Sequence, residues 1–413
     1  MNKFPDNFYW GAATSSHQVE GNNHNDWAEW EKATADGKLQ IANGKNWPDY
    51  ILKNYPNPLQ KKNYISGSAC GHYNRFKEDF DIAESLDHNT HRFSIEWSRI
   101  EPKEGNFNEK EIGHYRQVIK ALKSRGLEPF ITLWHWSFPL WIAKQGGWQN
   151  KKSIYYFVRY VEKIVSALGN DVKFWLTLNE PEIYSINSYL KGQWPPQKKN
   201  PITYLKVTEN LIEAHKKSYK IIKKNQPSAQ IGIAKNNIYF ESHQNKFINH
   251  ILKKAVDWWW NFYFLNQIKN YQDFIGLNHY FHNRINFGFN KNENKKVSDT
   301  GWELYPEGIY FCLKDLKKYQ KPIYITENGL ADSEDKNREG FIKETLRNVY
   351  KAIKDGVDVR GYFYWSLLDN FEWDKGFWPR FGLVEIDYKT LERKIRPSAW
   401  EYKKIIENGL SEN

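Results

Sequence analysis

The sequence predicts an α/β protein in which residues 1–413 form a single (β/α)₈ TIM barrel with its active site at the C-terminal ends of the strands. Short β-like segments alternate with amphipathic segments, which is typical of parallel strands joined by crossover helices. The number of segments approaches the eight that close a barrel. A doubly wound open sheet gives similar alternation, but no GxGxxG motif follows the first predicted strand.

The predicted strands are short, and the segments between them have helical periodicity. One such segment places Ile112, Tyr115, Ile119 and Leu122 at intervals of three and four residues, which predicts a helix face packed on a sheet. Barrels of this class reach such chain lengths as one domain. The predicted strands are residues 8–12, 91–96, 129–134, 173–178, 230–234, 274–278, 322–326 and 361–365.

The composition is that of a globular protein with a basic surface. Hydrophobic residues make up 40% of the chain and aromatic residues 17%, which excludes the disordered class. The net charge of +11 could indicate a nucleic acid or a phosphorylated substrate. The lysines are scattered, however, as at Lys151, Lys216 and Lys223, so we interpret them as solvated surface and predict no nucleic-acid partner.

The cysteines and the hydrophobic runs indicate the compartment. Cys70 and Cys312 lie in no CxxC or mixed Cys/His cluster, which fits a reducing environment. The N-terminal sequence has no basic region followed by an apolar run, and no segment reaches 18 uninterrupted apolar residues. We therefore expect a cytoplasmic protein with no membrane association.

Two irregular stretches, residues 36–68 and 281–301, follow the first and sixth predicted strands. Loops after the strands build the active-site face of a barrel, and long loops in a compact domain are usually functional. We therefore predict that both stretches lie on the rim around the active site.

Two glutamates stand at predicted strand ends. Glu180 follows the fourth strand in TLNEP, and Glu327 closes the seventh in YITENG, so both would point into the same mouth. Hydrolysis of an acetal needs one acid to protonate the departing oxygen and one carboxylate to attack the sugar carbon, about 5–5.5 Å apart in a retaining pair. Taken alone, each glutamate is more often a solvated or ion-paired loop residue.

Six motifs, in this order, resemble glycoside hydrolase family 1, the β-glucosidase and β-galactosidase family. The resemblance covers nearly the whole chain. The motifs are HRFSIEWSRI (91–100), TLWHWSFPLW (132–141), TLNEP (177–181), GLNHY (276–280), ITENG (325–329) and YWSLLDNFEWDKGFWPRFGLVEID (364–387).

The resemblance implies a retaining exo-β-glycosidase that acts on β-glycosides or short oligosaccharides. By resemblance, Glu327 is the nucleophile and Glu180 the acid/base. Arg92 and Tyr280 would contact the nucleophile and favour its ionised form, whereas Glu180 must hold a proton near neutral pH. Asn179 would hydrogen-bond the sugar 2-hydroxyl.

The resemblance also implies the sugar-binding residues. The non-reducing sugar would be held by Gln18, His135, Glu372 and Trp373; Trp365 would lie under the aglycone, and Trp136 and Phe381 would form walls of the glycone pocket. The chain has 19 Trp, most of which must serve packing, and we interpret Trp258, Trp259 and Trp260 as helix packing. Two carboxylates and water suffice for the chemistry, so we predict no cofactor and no metal.

Two other functions remain open. A 6-phospho-β-glycosidase is favoured by the basic charge, but Glu372 would repel a sugar phosphate, and Lys375 by itself does not offset this. A non-catalytic sugar-binding relative would typically have lost one catalytic glutamate, and both are present. The sequence leaves the choice of sugar and the oligomeric state open.

The chain is shorter than members of the resembled family usually are. The missing length appears between the fifth and sixth strands, where residues 255–280 run almost directly into the sixth strand. Loops of that segment help to frame the aglycone site in the family. We therefore hypothesise a more open outer site that accepts bulky or oligomeric leaving groups.

Overall fold

The computed structural model describes residues 3–410. Eight parallel strands form a closed barrel in the order β1, β2, β3, β4, β5, β7, β9, β10, and β10 pairs with β1. Each predicted strand overlaps one of these, so the (β/α)₈ barrel is confirmed. The strands are β1 Tyr9–Ala13, β2 Thr90–Ser94, β3 Glu128–Thr132, β4 Phe174–Asn179, β5 Gln230–Asn236, β6 Tyr239–Ser242, β7 Ile275–Asn278, β8 His282–Ile285, β9 Ile323–Asn328, β10 Val359–Trp365, β11 Val384–Ile386 and β12 Arg393–Ile395.

Helices alternate with the barrel strands. They are α1 Ser16–Val19, α2 Asp26–Asn43, α3 Asp49–Leu52, α4 His72–Ser85, α5 Trp97–Ile100, α6 Glu109–Lys123, α7 Leu140–Lys144, α8 Lys152–Leu168, α9 Pro181–Ser185, α10 Pro201–Asn225, α11 Phe247–Asp257, α12 Tyr263–Ile268, α13 Gly308–Leu316, α14 Arg338–Lys354 and α15 Pro397–Asn408. π-Helical turns follow α9 at Ile186–Leu190 and α11 at Trp258–Phe262.

Local sequence explains where the longer helices begin. The side chain of Asn108 accepts hydrogen bonds from the backbone N–H groups of Lys110 and Glu111, which otherwise have no partner in the first turn of α6. Asn200 caps α10 in the same way, and Pro201 at its first position has no N–H to satisfy. In α6 the predicted face is buried, because its spacing directs it onto the sheet.

The inside of the barrel is filled by aromatic rings. Phe130 and Phe174 stack with ring centroids 4.0 Å apart, and Tyr324 and Phe363 pack edge-on against Phe130. These side chains are buried. Such a layer makes the interior a packed core rather than a pore, and it forms a floor under the polar residues at the strand ends.

The prediction for the two irregular stretches is only partly correct. Helix α2 continues to Asn43 within residues 36–68, and none of those residues lines the cavity at the strand ends. An alanine-containing segment capped by Asn25 favours the helix. Residues 281–301 contain β8, which pairs in parallel with β6, and five residues of this stretch do line the cavity.

The helices and the two cysteines bear on where in the cell the protein is located. Over residues 3–410, none of the helices combines the length and hydrophobicity needed to cross a membrane. Cys70 and Cys312 are both buried free thiols. The cytoplasmic location stays a prediction.

Truncation of a ring in the barrel floor tests this account of the core. We expect Phe130→Ala to lower the free energy of unfolding in urea by about 3–5 kcal/mol, because it leaves a cavity among fixed rings. Phe247→Ala on α11, where the ring is 81% exposed, is the matched control and should change it by no more than about 0.5 kcal/mol. Equal effects would contradict a packed interior.

Candidate active site

A cavity of about 510 Å³ lies at the C-terminal ends of the barrel strands. Nine of the twelve predicted site residues line it: His135, Trp136, Glu180, Tyr280, Glu327, Trp365, Glu372, Trp373 and Phe381. The other three, Gln18, Arg92 and Asn179, are buried behind the lining and contact it through hydrogen bonds. The site therefore gathers residues that are far apart in the chain, such as Gln18 and Glu372, which are 354 positions apart.

Glu327 stands between a guanidinium and a phenol. Arg92 donates from Nη1 to Oε1 at 2.6 Å, and the Tyr280 hydroxyl donates to Oε2 at 2.9 Å. Burial raises the pKa of Glu327 above its ordinary value, but the positive charge of Arg92 and both hydrogen bonds oppose that rise. The charge-assisted bond and the phenol favour the carboxylate form.

Within residues 3–410, the side chains that donate hydrogen bonds to the Glu180 carboxyl group are neutral. The side-chain amides of Asn278 and Asn236 donate to its Oε1 at 3.0 and 3.1 Å. Burial, and then the negative charge of Glu327 and of Glu182, raise the pKa of Glu180 to about 8. Glu180 therefore keeps its proton at neutral pH, whereas its neighbour is stabilised as an anion.

The backbone of Glu180 is held in an unusual conformation. Its φ is 40°, in the left-handed region that costs energy for a residue with a Cβ. Its N–H donates to the carbonyl of Ala234 on β5 at 2.7 Å, and Pro181 begins helix α9 directly after it. This sharp turn from strand to helix directs the side chain into the cavity.

A chain of hydrogen bonds connects the two glutamates. Arg92 donates from Nη2 to Asn179 Oδ1 at 2.6 Å, and the Asn278 amide lies 3.3 Å from the same oxygen and 3.0 Å from Glu180. The hydroxyl of Thr326 donates to Asn278 Oδ1, which fixes the direction of that amide. The positions of both carboxylates are thus set by one network.

The structure explains why the ITENG motif ends in a glycine, Gly329. A Cβ added there would lie 1.8 Å from the carbonyl oxygen of Trp365. Only glycine allows the chain after Glu327 to pass so close to the end of β10. This close approach brings Trp365 and Glu327 to the same part of the cavity wall.

His135 is neutral and is oriented by Asn179. Burial and the nearby charge of Arg92 hold its pKa well below the ordinary value. Because Asn179 accepts from Arg92 through its oxygen, its amide nitrogen must donate to His135 Nε2, at 3.0 Å. The ring proton is then on Nδ1, which has no partner within the described part of the chain, residues 3–410.

Gln18 contacts Glu372 and has little free hydrogen-bonding capacity. Its amide nitrogen donates to the carbonyl of Phe371 at 2.9 Å and to Glu372 at 3.3 Å, and its oxygen accepts from Ser15. Burial raises the pKa of Glu372 to about 7. The direct sugar contacts predicted for Gln18 and Asn179 stay predictions.

Tryptophan rings form much of the wall. Trp136 lies 4.7 Å from Trp373 between ring centroids, and it donates from Nε1 to the carbonyl of Asn179 at 2.9 Å. His135 stacks on Trp373 and, more distantly, on Trp365. Flat apolar surfaces beside fixed polar groups suit the C–H faces and hydroxyls of a sugar.

Several residues of the site were missed in the sequence. Asn236 was overlooked because the predicted fifth strand stops at residue 234, two residues before β5 ends. Asn278 stands within the GLNHY motif at the end of β7, and its position at a strand end was the available signal. Glu182 and Lys235, which contact each other behind Glu180, gave no signal in the sequence.

The interpretation of the tryptophan run as helix packing is incomplete for Trp260, which packs against the core and also lines the cavity. Trp259 is half-buried against the core and Trp258 is exposed, but Trp260 lines the cavity. The π-helical turn at Trp258–Phe262 shifts the helix phase, and Trp260 faces the strand ends, where its Nε1 lies 3.4 Å from Asn236 Oδ1.

The chemistry of the site is that of carboxylates. Within residues 3–410, no group of three or more His, Cys, Asp and Glu side chains has an arrangement that could hold a metal ion. That no cofactor or metal takes part stays a prediction. Two buried carboxyl groups of unlike proton affinity, with polar and aromatic side chains around them, are typical of the site of a glycoside hydrolase.

Comparison with known proteins establishes the family. The sequence model of Glycosyl hydrolase family 1 matches residues 1–266 and 240–410. The chain therefore belongs to glycosyl hydrolase family 1, and the protein is a glycoside hydrolase.

Individual relatives are similar along their whole length. A 1,4-beta-D-glucan glucohydrolase from Thermotoga neapolitana is 35% identical, with 100% of each chain covered. A solved beta-glycosidase from Pyrococcus horikoshii is 38% identical with a TM-score of 0.88, covering 100% of this chain and 96% of its own. A beta-glucosidase from Thermotoga maritima in complex with deoxynojirimycin is 32% identical with a TM-score of 0.86, with both chains fully covered.

The comparisons also bear on the shortened segment. The alignment with the Thermotoga neapolitana relative spans 462 positions, whereas this chain has 413 residues, so the relative has internal segments that this chain lacks. The two matches to the family model overlap at residues 240–266, between β5 and β7. Both findings agree with a shorter connection between the fifth and sixth barrel strands.

The pKa values predict the pH dependence of hydrolysis. Glu180 must carry a proton to act as an acid, so kcat/KM for an aryl β-glucoside should fall as the pH rises through about 8. On the acid side, kcat/KM should fall as the pH drops and Glu327 takes up a proton. This fall should occur at a pH above the ordinary pKa of a glutamate. A rate profile measured across both limbs checks this. If kcat/KM already fell as the pH rose above about 5, this would contradict the raised pKa of Glu180.

Proposed function

We propose that the protein is a retaining exo-β-glycosidase that releases a terminal β-linked glucose, galactose or similar sugar by double displacement. Glu327 is the nucleophile and Glu180 the acid/base. The observation that carries this proposal is the unequal surroundings of the two glutamates. Arg92 and Tyr280 donate to Glu327, whereas only neutral amides donate to Glu180.

In the first step Glu327 attacks the anomeric carbon. A bond forms between its carboxylate oxygen and that carbon, while the bond from the carbon to the leaving oxygen breaks. Glu180 gives its proton to the leaving oxygen, so the aglycone departs as a neutral alcohol. The sugar is then an ester of Glu327, and Glu180 is ionised.

In the second step water completes the hydrolysis. Glu180, now a carboxylate, takes a proton from water, and the water oxygen bonds to the anomeric carbon as the ester bond to Glu327 breaks. Two inversions leave the sugar with its original β configuration. Glu180 ends protonated and Glu327 ionised, so the enzyme returns to its starting state.

The sugar is held by fixed polar groups and by tryptophan faces. The protonated Nδ1 of His135 is free to donate to a sugar hydroxyl, and Glu372, which Gln18 orients, accepts from hydroxyls when ionised. Trp373 and Trp365 supply apolar faces. Because the similar Thermotoga maritima beta-glucosidase was solved with deoxynojirimycin, we expect this protein to bind that compound.

The two other candidate functions have weaker support. For a 6-phospho-β-glycosidase, Lys375 would have to bind the phosphate, but its ammonium lies 3.8 Å from the carboxylate of Asp374. Glu372 next to it would repel a phosphate once ionised. A non-catalytic sugar-binding protein needs neither glutamate, and both are buried and accept hydrogen bonds from neighbouring side chains.

Substitution of each glutamate tests the proposal. We expect Glu327→Ala to lower kcat for 4-nitrophenyl β-glucoside at least about 10³-fold, because no covalent intermediate can form. Glu180→Ala should lower it far less with this good leaving group than with a poor one, about 10²-fold or more in the second case. NMR of the wild-type reaction should show the β anomer first.

The controls for this experiment are the structures of the variants. Circular dichroism should show that each variant is folded. First release of the α anomer, or a Glu327→Ala variant with wild-type activity, would refute double displacement by this pair.

The outer part of the cavity supports an open aglycone site. Ile238, Phe240 and Val256 come from the shortened connection between β5 and β7, and Phe289 faces the cavity from the loop after β8. The cavity lining also includes the polar residues Asn187, Lys191 and Gln193. We propose that this site accepts bulky or oligomeric leaving groups, which lie on the apolar wall.

Chain length of the substrate tests this proposal. We expect kcat/KM for cello-oligosaccharides of two to five units to stay within about tenfold, since binding along an open apolar wall adds little discrimination. Phe289→Ala should lower kcat/KM for the longer substrates, whereas Phe287→Ala, 66% exposed and outside the cavity lining, should not. A steep preference for the disaccharide would count against the open site.

A further inference from the structure

We propose that Lys235 and Glu182 are positioning residues for Glu180, which they hold in place through Asn236. Neither contacts the cavity directly, and neither takes part in the two chemical steps above. The inference rests on the proposed role of Glu180 as the acid/base, and it adds the part of the structure that keeps this side chain oriented.

Glu182 connects the helix that follows Glu180 to strand β5. It is the second residue of α9, and its Oε1 accepts from the Lys235 ammonium at 2.8 Å and from the backbone N–H of Asn236 at 2.8 Å. The Glu180 N–H donates to Ala234 on the same strand. Three hydrogen bonds therefore fix the start of α9 to the end of β5, on either side of the catalytic turn.

Lys235 connects a third element to this junction. Its ammonium also donates to the backbone carbonyls of Asn236, at 2.6 Å, and of Trp260, at 2.8 Å, in the π-helical turn after α11. Three acceptors satisfy the three donors of the ammonium. The shortened connection between β5 and β7 is thus attached directly behind the acid/base.

Asn236 is the residue through which Glu182 and Lys235 affect the position of Glu180. Its backbone N–H is held by Glu182, and its Oδ1 lies 3.4 Å from the indole N–H of Trp260, so its amide nitrogen faces Glu180 Oε1 at 3.1 Å. Without Glu182, the backbone N–H of Asn236 would lose its acceptor. Without Lys235, the backbone of Trp260, whose indole contacts Asn236, would lose its donor. Either loss would remove a contact that sets the orientation of the Asn236 amide. The direction of the Glu180 carboxyl group would then be less well defined.

The pair also contributes to the electric field at Glu180. The negative charge of Glu182 adds to that of Glu327 in raising the pKa of Glu180, whereas a positive charge on Lys235 favours its ionised form. The two members of the pair therefore act in opposite directions. Other titratable groups near Glu180 include Arg92, His135, Tyr280 and Glu372, and Cys312 lies near Lys235. Lys191, His282, Asp374 and Lys375 line other parts of the same cavity.

A contribution to stability does not by itself explain why Glu182 and Lys235 form a buried ion pair. Both side chains are buried, and burial opposes both charges, raising the pKa of Glu182 and lowering that of Lys235. A buried ion pair can often be replaced by apolar residues of similar volume without loss of stability. A role in orienting a neighbouring catalytic group accounts for charged residues at this position.

Charge-specific substitutions test the inference. In Glu182→Gln we expect the alkaline limb of kcat/KM for phenyl β-glucoside to move to lower pH by about one unit, and in Lys235→Met to higher pH. The double variant should return it close to the wild-type position. We also expect Lys235→Met to lower kcat/KM about tenfold for phenyl β-glucoside but no more than about twofold for 2,4-dinitrophenyl β-glucoside, which needs no acid.

The control is a buried ion pair away from the cavity. Arg393 donates to Asp79 at 2.8 Å between β12 and α4, and neither lines the cavity. Asp79→Asn should lower the Tm without moving the pH profile. Alkaline limbs that coincide with the wild type, or that move together in one direction in both single variants, would overturn the inference, as would equal losses on the two substrates.

The experiment separates this inference from the proposed function. If the wild type hydrolyses phenyl β-glucoside and Glu180→Ala does not, the proposed acid/base stands, whatever the Glu182 and Lys235 variants do. If the wild type hydrolyses neither substrate, the proposed function itself fails. Where a single unpaired charge prevents folding, the double variant tests the inference through the two substrates: it should lose more kcat/KM with phenyl β-glucoside than with 2,4-dinitrophenyl β-glucoside, and equal losses would overturn the inference.

Discussion

The buried contact between Arg92 and Glu327 is the interaction on which the site depends. A guanidinium in the centre of a barrel is stable only if its donors are satisfied. Arg92 meets this requirement with Thr132 on β3, Asn179 on β4, and both the Thr326 carbonyl and Glu327 on β9. One side chain from β2 thereby joins three other strands, and removal of either charge would leave the other buried without a partner.

The different roles proposed for the two glutamates follow from this contact. Arg92 can approach only one of them closely, so one carboxyl group has a positive neighbour and the other has amides. Burial acts on both, but only Glu180 has its pKa raised to about 8 without an opposing cation among the main causes. The same network that fixes the geometry also separates their proton affinities. We regard this separation as the basis of the proposed mechanism.

Much of the fold and site could be predicted because the informative residues stand at strand ends. Short β-like segments between amphipathic helical segments located all eight barrel strands. Residues at the C-terminal ends of barrel strands lie at the mouth, as Glu180 and Glu327 do. The family motifs then identified the residues around them. Residues that act by tertiary contact alone were beyond this reasoning. In the sequence, Lys235 is one residue of a strand and Glu182 is one residue of a helix. Their proposed role depends on their contact behind Glu180, which exists only in the folded protein.

Helix phase was the other feature that the sequence did not reveal. The three tryptophans Trp258, Trp259 and Trp260 follow one another in a helical segment, where spacing alone cannot distinguish a buried face from a cavity wall. The π-helical turn decides which ring enters the site. The boundary of β5 had a similar effect, since two further residues of strand include Asn236. Errors of two residues at an element boundary are ordinary, and here they lie at the functional end.

The most direct test of the mechanism is to trap the covalent intermediate. A 2-deoxy-2-fluoro β-glucoside with a good leaving group should react with the enzyme and then hydrolyse slowly, because fluorine disfavours the positively charged transition state of both steps. We predict a mass increase of one fluorosugar per chain, on the peptide that contains Glu327. Turnover of ordinary aryl β-glucosides with no labelling by the fluorosugar, or labelling of any other residue, would contradict the assignment of Glu327 as the nucleophile.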